Sequence, residues 1–384
     1  MCKRPLIIFF LMLTVSSCLI ATSRQAWAIA QQAASERRLA RGSKVIVRNR
    51  SGRITITGWE RETIQATATG THRAEAVSVR ITEATSPAEA LLITPETGSG
   101  RINLEVKLPH YAGVELVSSS GDVEVTDFNG PIAVDSGSGS VNVNRVDSLE
   151  VRARSGDVIV NNVSGQATLA NVSGDIIAKS IKGDLTAQVR SGNVRVENVV
   201  GLLNITITNG GLTVQNAGSD VRVASISGDI TVQCAKGSVE ANTTSGSITL
   251  TGIDGDVEAK TTSQGIMWTG ALHSGGRYHM KSLSGEVRMV IQADSPSFTA
   301  TLASYSGEIE TDFPLKLETP FQRGSIGRRI TGHYNVEGNV KEKVEASVGQ
   351  SAGRAQITLE SFSKAVVLKR AATVAAKNCW KEQR

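Results

Sequence analysis

The chain has 384 residues, of which 41 are Lys or Arg and 36 are Asp or Glu, and its formal net charge is +5. Residues 31 to 117 carry 12 basic and 9 acidic groups, residues 118 to 311 carry 13 and 20, and residues 312 to 384 carry 13 and 7. Nucleic-acid binding requires a basic stripe on the main body of a protein, so an acidic middle argues against that class of partner.

The N-terminal segment has the layout of a secretory signal. Lys3 and Arg4 precede the apolar run LIIFFLMLTV, and small residues follow. We therefore expect residues 1 to 30 to be a signal peptide and the mature chain to be exported, with a net charge of 5 − 3 = +2 after Lys3, Arg4 and Arg24 are removed.

Two processing sites are consistent with this segment. AWA at positions 26 to 28 is typical of ordinary signal peptidase, whereas VSSC, ending at Cys18, has the form of a bacterial lipobox in which Cys18 would be lipidated. No later stretch approaches the roughly 18 to 20 apolar residues that span a bilayer. Membrane attachment is therefore expected only through an N-terminal lipid anchor.

Residues 31 to 117 contain short alternating segments without a fixed period, among them KVIVRN, RITITGW, TIQATAT and RINLEVKLP. Alternation of apolar and polar residues is typical of strands with one buried face. We expect a small antiparallel β cap here.

Residues 118 to 311 carry a repeat. Glycines recur before apolar pairs at a nearly constant interval of about 18 residues, at Gly121, Gly139, Gly156, Gly174, Gly192, Gly210, Gly228 and Gly246. A second glycine often follows half an interval later, so each unit is predicted to be strand, turn, strand, turn. Glycine suits the sharp turns because it lacks a Cβ atom.

A repeat that restores the same buried face every ~18 residues favours an all-β parallel solenoid over antiparallel hairpins. Four buried aliphatic side chains contribute roughly 6 to 12 kcal/mol per unit, which does not offset the backbone entropy of a unit at roughly 1 to 2 kcal/mol per residue. One turn should not fold alone, and stacking supplies the difference. About eleven turns at ~4.8 Å each would form a rod of ~50 Å.

One corner of each unit is predicted to form a ladder of small polar side chains. These lie at the same offset after successive glycines, at Asn162, Ser180, Asn198 and Asn216, and Cys234 follows at the equivalent position. We interpret Cys234 as a small side chain tolerated in the ladder. Cys379 is the other cysteine that would remain after cleavage, and the sequence allows either one disulfide or two free thiols.

Residues 312 to 384 mix charge-rich stretches with the strand-like segments AQITLESF and KAVVLKR. A solenoid has two open ends, each of which is a template for strand pairing with another chain. We expect this region to be a short, looser β closing cap with a basic tail.

Calcium binding is one alternative function. Asp122, Asp157, Asp175 and Asp229 recur in the repeat, and calcium-stabilised β-rolls have turns of similar length, but those require a G-G-x-G-x-D pattern. The pattern here is S-G-D, which turn chemistry explains. We therefore predict no metal site and no cofactor.

A carbohydrate-active β-helix enzyme, either a polysaccharide lyase or a hydrolase, is the other alternative. Asp254, Asp256 and Glu258 are close in sequence, and Arg222 or Lys260 could lie near them, but such charges also solvate an exposed sheet. GQSAG at positions 349 to 353 matches the G-x-S-x-G pattern without its strand-to-helix context. Five histidines show no metal-ligand spacing. We predict no catalytic residues.

Four features together resemble the bacterial putative-adhesin β-strand-repeat domain family of exported proteins. They are GRITITGW from Gly52, EVKLPHYAGVELVSSSGDVEV, the recurring S-G-D-[VI]-x-[VI] units and the closing RAQITLESFSKAVVLKR, in which Lys364 and Ala365 stand where the family pattern has Gly-Asp. The resemblance implies a non-enzymatic envelope or secreted protein, an adhesin or a structural scaffold. Its partner would be a surface ligand, a glycan or an envelope protein, and self-association is consistent with it.

Overall fold

The computed structural model describes residues 35–70, 76–77, 79–83, 90–95, 100–292, 295–318, 327–335, 354–371 and 379. These residues form strands and no helix, and none of the described segments provides a helix long and apolar enough to cross a membrane. The strands up to residue 118 are β1 (Ser35–Arg38), β2 (Lys44–Asn49), β3 (Ile54–Trp59), β4 (Thr63–Gly70), β5 (Ala76–Val77), β6 (Val79–Glu83), β7 (Ala90–Pro95), β8 (Ile102–Pro109) and β9 (Gly113–Ser118).

The repeat region follows as β10 (Val123–Ser136), β11 (Val141–Ser155), β12 (Val158–Val163), β13 (Ala167–Ser173), β14 (Ile176–Ile181), β15 (Leu185–Ser191), β16 (Val194–Val199), β17 (Leu203–Asn209), β18 (Leu212–Ala217), β19 (Val221–Ser227), β20 (Ile230–Ala235), β21 (Val239–Thr243), β22 (Ile248–Ile253), β23 (Val257–Thr261), β24 (Ile266–Gly270), β25 (Arg277–Ser282) and β26 (Val287–Ile291). The last strands are β27 (Phe298–Ser304), β28 (Ile309–Thr311), β29 (Lys316–Leu317), β30 (Arg328–Tyr334), β31 (Ala355–Ser361) and β32 (Val366–Arg370).

The predicted parallel β-solenoid is confirmed, with about ten turns of about 18 residues. Each turn contributes one strand to each of two faces. Face A contains β9, the second halves of β10 and β11, and the odd-numbered strands β13 to β25, while face B contains the first halves of β10 and β11 and the even-numbered strands β12 to β26. Equivalent residues pair in register, as in Val158 with Ile176.

The core is a column of aliphatic side chains between the two faces. Alternate residues of every strand point inward and are buried, as the sequence alternation predicts. Larger side chains enter the column where the regular repeat spacing drifts. Trp268 and Tyr278 are fully buried there, with ring centroids 5.2 Å apart, and the segment between them is longer than an ordinary corner.

The N-terminal end is partly antiparallel, as expected. β4 pairs antiparallel with β8 and carries β1 and β5, and β6 pairs antiparallel with β7. However, β2 and β3 form a parallel turn of the solenoid, which the sequence analysis does not predict. β2 lies between β7 and β9, and β3 lies between β8 and β10.

The C-terminal end has the same kind of interleaving. β31 lies between β25 and β27, and β32 lies between β26 and β28, so the last described strands are inserted into the stack before it ends. Lys364 and Ala365 close this turn regularly, since the Ala365 carbonyl accepts a hydrogen bond from the Val287 amide. β30 then covers β27 in antiparallel orientation.

Candidate functional site

The glycines singled out in the sequence lie at one corner of the solenoid. Gly121, Gly156, Gly174, Gly192, Gly210 and Gly228 have φ values between +108° and +143°. A Cβ atom on Gly174 would lie 2.4 Å from the carbonyl oxygen of Gly156, and one on Gly246 would lie 1.9 Å from that of Gly228. Glycine is therefore required here by the close approach of successive turns as well as by backbone conformation.

The predicted polar ladder lies at the opposite corner, in left-handed backbone. Asn162, Ser180, Asn198 and Asn216 have φ values between +57° and +59°, which asparagine adopts more readily than other side-chain-bearing residues. The Asn216 amide donates to Asn198 Oδ1 over 2.9 Å, and the Asn162 amide donates to Asn144 Oδ1 over 3.0 Å. The corner thus holds the turns together.

Cys234 occupies the same left-handed corner, with φ +62°, and forms a disulfide with Cys379 across 145 residues. This decides between the two alternatives that the sequence left open. It also corrects the interpretation of Cys234 as merely a tolerated small side chain. The bond fixes residue 379 against the side of the solenoid.

The recurring aspartates are turn residues. Asp157 Oδ1 accepts the Asp175 amide over 2.9 Å, and Asp175 Oδ1 accepts the Asn193 amide over 2.8 Å, so each carboxylate ties its turn to the next. Asp229 and Ser247 repeat the arrangement over 2.8 Å. Within the described ranges, no group of three or more His, Cys, Asp or Glu side chains is arranged to hold a metal ion.

Two of the three carboxylates considered for carbohydrate cleavage, Asp256 and Glu258, are engaged in ion pairs, whereas Asp254 forms none with a described residue. Asp256 accepts from both the backbone amide and the guanidinium of Arg277, over 2.9 and 3.0 Å. Burial raises the pKa of Asp256, but these hydrogen bonds and the positive charge of Arg277 outweigh it and leave that pKa below its usual value. Glu258 pairs with Lys260, whose hydrogen bond lowers the pKa of the Glu258 carboxyl.

Two further residues complete this network. His273 Nε2 lies 3.4 Å from Asp256 Oδ1, and His273 Nδ1 lies 2.9 Å from the Tyr278 hydroxyl. Burial raises the pKa of Tyr278 to about 12, so its hydroxyl stays protonated. The network anchors the long segment between β24 and β25, and it offers no pair of unpaired carboxylates flanking a substrate.

Other predicted positions lie apart or outside the described residues. Cys18, the signal peptide, His72 and the GQSAG segment belong to the part of the chain that the structure does not describe. His333 pairs with Glu318 and Thr299 near the C-terminal end, and His110 contacts the Trp59 carbonyl at the N-terminal end.

The strongest candidate for a binding surface is an aromatic platform that the sequence analysis did not identify. It consists of Leu283, Phe362 and Tyr305, which are 48%, 49% and 48% exposed. Backbone hydrogen bonds from Phe362 to Ser282 and from Tyr305 to Ser361 place the three on successive layers of one corner. The rings of Tyr305 and Phe362 are stacked, with centroids 4.5 Å apart and planes within 3°.

Charged groups surround the platform. Glu360 pairs with Lys281 over 3.2 Å and with Arg329 over 3.6 Å, while Arg328 forms no ion pair with any described residue. These four charged residues, together with Gly327 and the platform side chains, line a shallow cavity of about 300 Å³. This volume is at the lower end of the range for small-molecule sites.

A family profile described as Toastrack DUF4097 matches residues 20–199 and 177–348. The chain belongs to the Toastrack DUF4097 family. The family resemblance found in the sequence is confirmed, and the chain is a β-solenoid of that family.

Two solved structures are similar to the chain. One is described as a putative cell adhesion protein from Clostridium sporogenes, with 7% identity, a TM-score of 0.15, and coverage of 89% of this chain and 100% of that chain. The other is described as a putative adhesin from Parabacteroides distasonis, with 12% identity, a TM-score of 0.20, and coverage of 68% and 94%. No curated protein matches the chain.

The platform could not be found from the sequence because Phe362 is remote along the chain from both Tyr305 and Leu283. It forms only when β31 is inserted between β25 and β27. The sequence did contain one signal for the platform, which is the low aromatic content of the rest of the chain. Only 4% of the residues are aromatic, and the regular turns carry Thr, Arg, Val or Ile at this corner position, so two aromatic residues there call for an explanation.

Proposed function

We propose that this chain is an exported, non-enzymatic binding scaffold whose aromatic platform takes a glycan. The observation that carries the proposal is the exposed, coplanar stack of Tyr305 and Phe362. Contiguous exposed apolar surface costs free energy in water and commonly marks a binding site in a soluble protein. An aromatic side chain offers a large, rigid contact area at low entropic cost.

The surroundings of the platform favour a sugar over a purely apolar ligand. One side of a pyranose ring is lined by C–H bonds and packs on an apolar surface, while its hydroxyls require hydrogen-bond partners. Arg328, Arg329 and Glu360 lie beside the rings and supply such donors and acceptors. A small number of placed polar groups beside apolar contacts is the usual composition of a ligand site.

The disulfide supports export. Disulfides form and persist in oxidising compartments and are rare in the cytosol. The Cys234–Cys379 bond therefore favours an envelope or secreted location, in agreement with the signal-like N-terminal segment. Fractionation of cells that express wild type and Cys18→Ala tests location and anchoring together. A lipid anchor predicts that only the wild type sediments with membranes.

Absence of catalysis is part of the proposal. It is supported by the ion pairs that engage Asp256 and Glu258 and by the role of the repeated aspartates in the turns. Cleavage of a cell-wall or plant polysaccharide by the purified chain, lost in Asp256→Asn, would replace it with the enzyme alternative.

Calorimetric titration of the purified chain with a panel of neutral and acidic oligosaccharides tests the platform. We expect Phe362→Ala and Tyr305→Ala each to weaken glycan binding by about tenfold, which corresponds to roughly 1.4 kcal/mol, the scale of an aromatic contact. Ile226→Ala is the matched control, because Ile226 lies on the same corner and is 57% exposed.

Equal loss in Ile226→Ala, or no binding of any oligosaccharide, would contradict the proposal. Concentration-dependent dimerisation that disappears in Phe362→Ala would instead identify the platform as a contact between copies of the chain.

A further inference from the structure

A second surface, distant in sequence from the platform, has the composition of an anion site. It is a shallow groove on face A, called here the arginine groove and lined chiefly by Arg152, Arg154, Ala170, Val172, Gln188 and Arg190. Its volume is about 760 Å³.

The groove follows from the strand register. Arg152, Ala170 and Gln188 align on successive turns, and Arg154, Val172 and Arg190 align beside them at the corner. The short side chain of Ala170 lies between longer neighbours, which leaves a depression. Val172 is 46% exposed at its edge.

Two of the guanidinium groups are available for a ligand. Arg152 pairs with Glu150 on its own strand, whereas neither Arg154 nor Arg190 forms an ion pair with a described residue. Asp135 is the carboxylate among the residues lining the groove. Arg154 and Arg190 lie two turns apart, a separation of about 10 Å at the usual strand spacing.

Asn171 lies beneath the groove, on the inward side of the strand that carries Ala170 and Val172 on its outward side. Asn171 is 3% exposed, and its amide nitrogen donates to the carbonyls of Gly156 and Gly174 over 3.0 and 3.1 Å. Its Oδ1 atom accepts no hydrogen bond from the described residues. Later turns carry Ser225, Thr243 and Thr261 at the equivalent inward position, so this buried polar group closes the corner of the solenoid, and the groove is formed by the outward side chains alone.

We infer that the arginine groove binds an acidic polysaccharide. Two arginines whose backbones are about 10 Å apart can reach oxyanions on separated units of a linear polymer, and Val172 between them would contact the apolar side of a sugar. Arginine suits this role because its planar donors bind carboxylate or sulfate through two parallel hydrogen bonds. This inference is independent of the platform.

The test uses the full chain carrying Tyr305→Ala and Phe362→Ala, so that loss of the platform does not affect the result. The probes are an oligogalacturonate, a sulfated glycosaminoglycan oligosaccharide and a neutral oligosaccharide of the same length. The first two distinguish carboxylate from sulfate as the source of the anion. Binding is measured by calorimetric titration at two salt concentrations.

We expect at least one acidic probe to bind and the neutral probe to fail. In that background Arg154→Gln and Arg190→Gln should each weaken binding by about tenfold or more, as expected for loss of a charge-assisted hydrogen bond. Arg222→Gln is the matched control, since Arg222 lies on the same face and its Nε lies 3.9 Å from Glu240. Higher salt should weaken binding.

The inference is overturned if neither acidic probe binds, if the neutral probe binds equally, or if Arg222→Gln has the same effect as the groove variants. Binding of single-stranded DNA as tight as that of the acidic oligosaccharides would also overturn it, since the groove would then respond to charge alone.

Discussion

Gly252 leaves space for the Cys379 sulfur because it has no Cβ atom. Gly252 has φ +64° and occupies the corner that carries Asn198, Asn216 and Cys234 in earlier turns, and a Cβ atom placed on it would lie 2.7 Å from Cys379 Sγ. Every earlier turn from Asp127 to Cys234 places a residue with a side chain at this corner, so glycine at 252 is explained by the disulfide rather than by backbone conformation.

Gly252→Asn should therefore destabilise the oxidised protein and have little effect once the disulfide is removed. We expect a loss of about 1 to 3 kcal/mol in the free energy of unfolding, the usual cost of overpacking. In the Cys234→Ser and Cys379→Ser background the same change should cost under about 0.5 kcal/mol. Equal losses in both backgrounds, measured by denaturant titration, would show that Cys379 does not restrict this corner.

The amide ladder can be tested at Asn216. Asn216→Gly keeps the left-handed backbone but removes the hydrogen bond to Asn198, so we expect a loss of about 0.5 to 1.5 kcal/mol. Asn216→Val removes the same bond and adds the strain of a β-branched residue at positive φ, a further 1 to 3 kcal/mol or so. Thermal and chemical unfolding of both variants measures the difference. A valine variant as stable as the glycine variant would refute the role of backbone conformation.

The glycine corner predicts a contrast between two alanine substitutions. Gly174→Ala should cost about 3 kcal/mol or more, because its Cβ atom would lie 2.4 Å from the Gly156 carbonyl oxygen and would force two turns apart. Gly275→Ala has open space around it and only the strain of φ +73°, so it should cost about 1 to 2 kcal/mol. Similar melting temperatures for the two variants would contradict the close approach.

Asp256 should contribute stability that depends on pH. Its folded pKa lies below the unfolded value of about 3.9, so its contribution is present above that pH and is lost as the pH falls through the folded pKa. Asp256→Asn should therefore lower the melting temperature at pH 7, and the difference from wild type should shrink below about pH 4. A constant difference from pH 7 to pH 3 would show that the carboxylate charge is not involved.

The regular part of the fold was predictable because it depends on local spacing. The glycine gaps and the alternation around Val158 and Val160 determine which residues face inward and how far apart the turns lie. The corner with left-handed backbone, which contains Asn198 and Asn216, was predicted only as a ladder of polar side chains. Its backbone conformation could have been inferred from the recurring asparagine and the single glycine at 252.

The ends and the candidate sites were not predictable in this way. The pairing of Ile54 with Val123 and of Ser282 with Ser361 joins segments of distant sequence, which no repeat spacing encodes. The platform depends on the second of these pairings. The Cys234–Cys379 bond likewise depends on where residue 379 lies against the solenoid.

The interleaved ends restrict how this architecture can change in length. The strands next to each end are held on both sides by segments that are remote in the chain, so duplicating or deleting a terminal unit would leave neighbouring strands unpaired. An additional regular turn inserted between β13 and β24 would pair only with similar regular turns on both sides. Relatives should therefore differ mainly in the number of regular turns in the middle of the solenoid, and the interleaved strands at both ends should be retained.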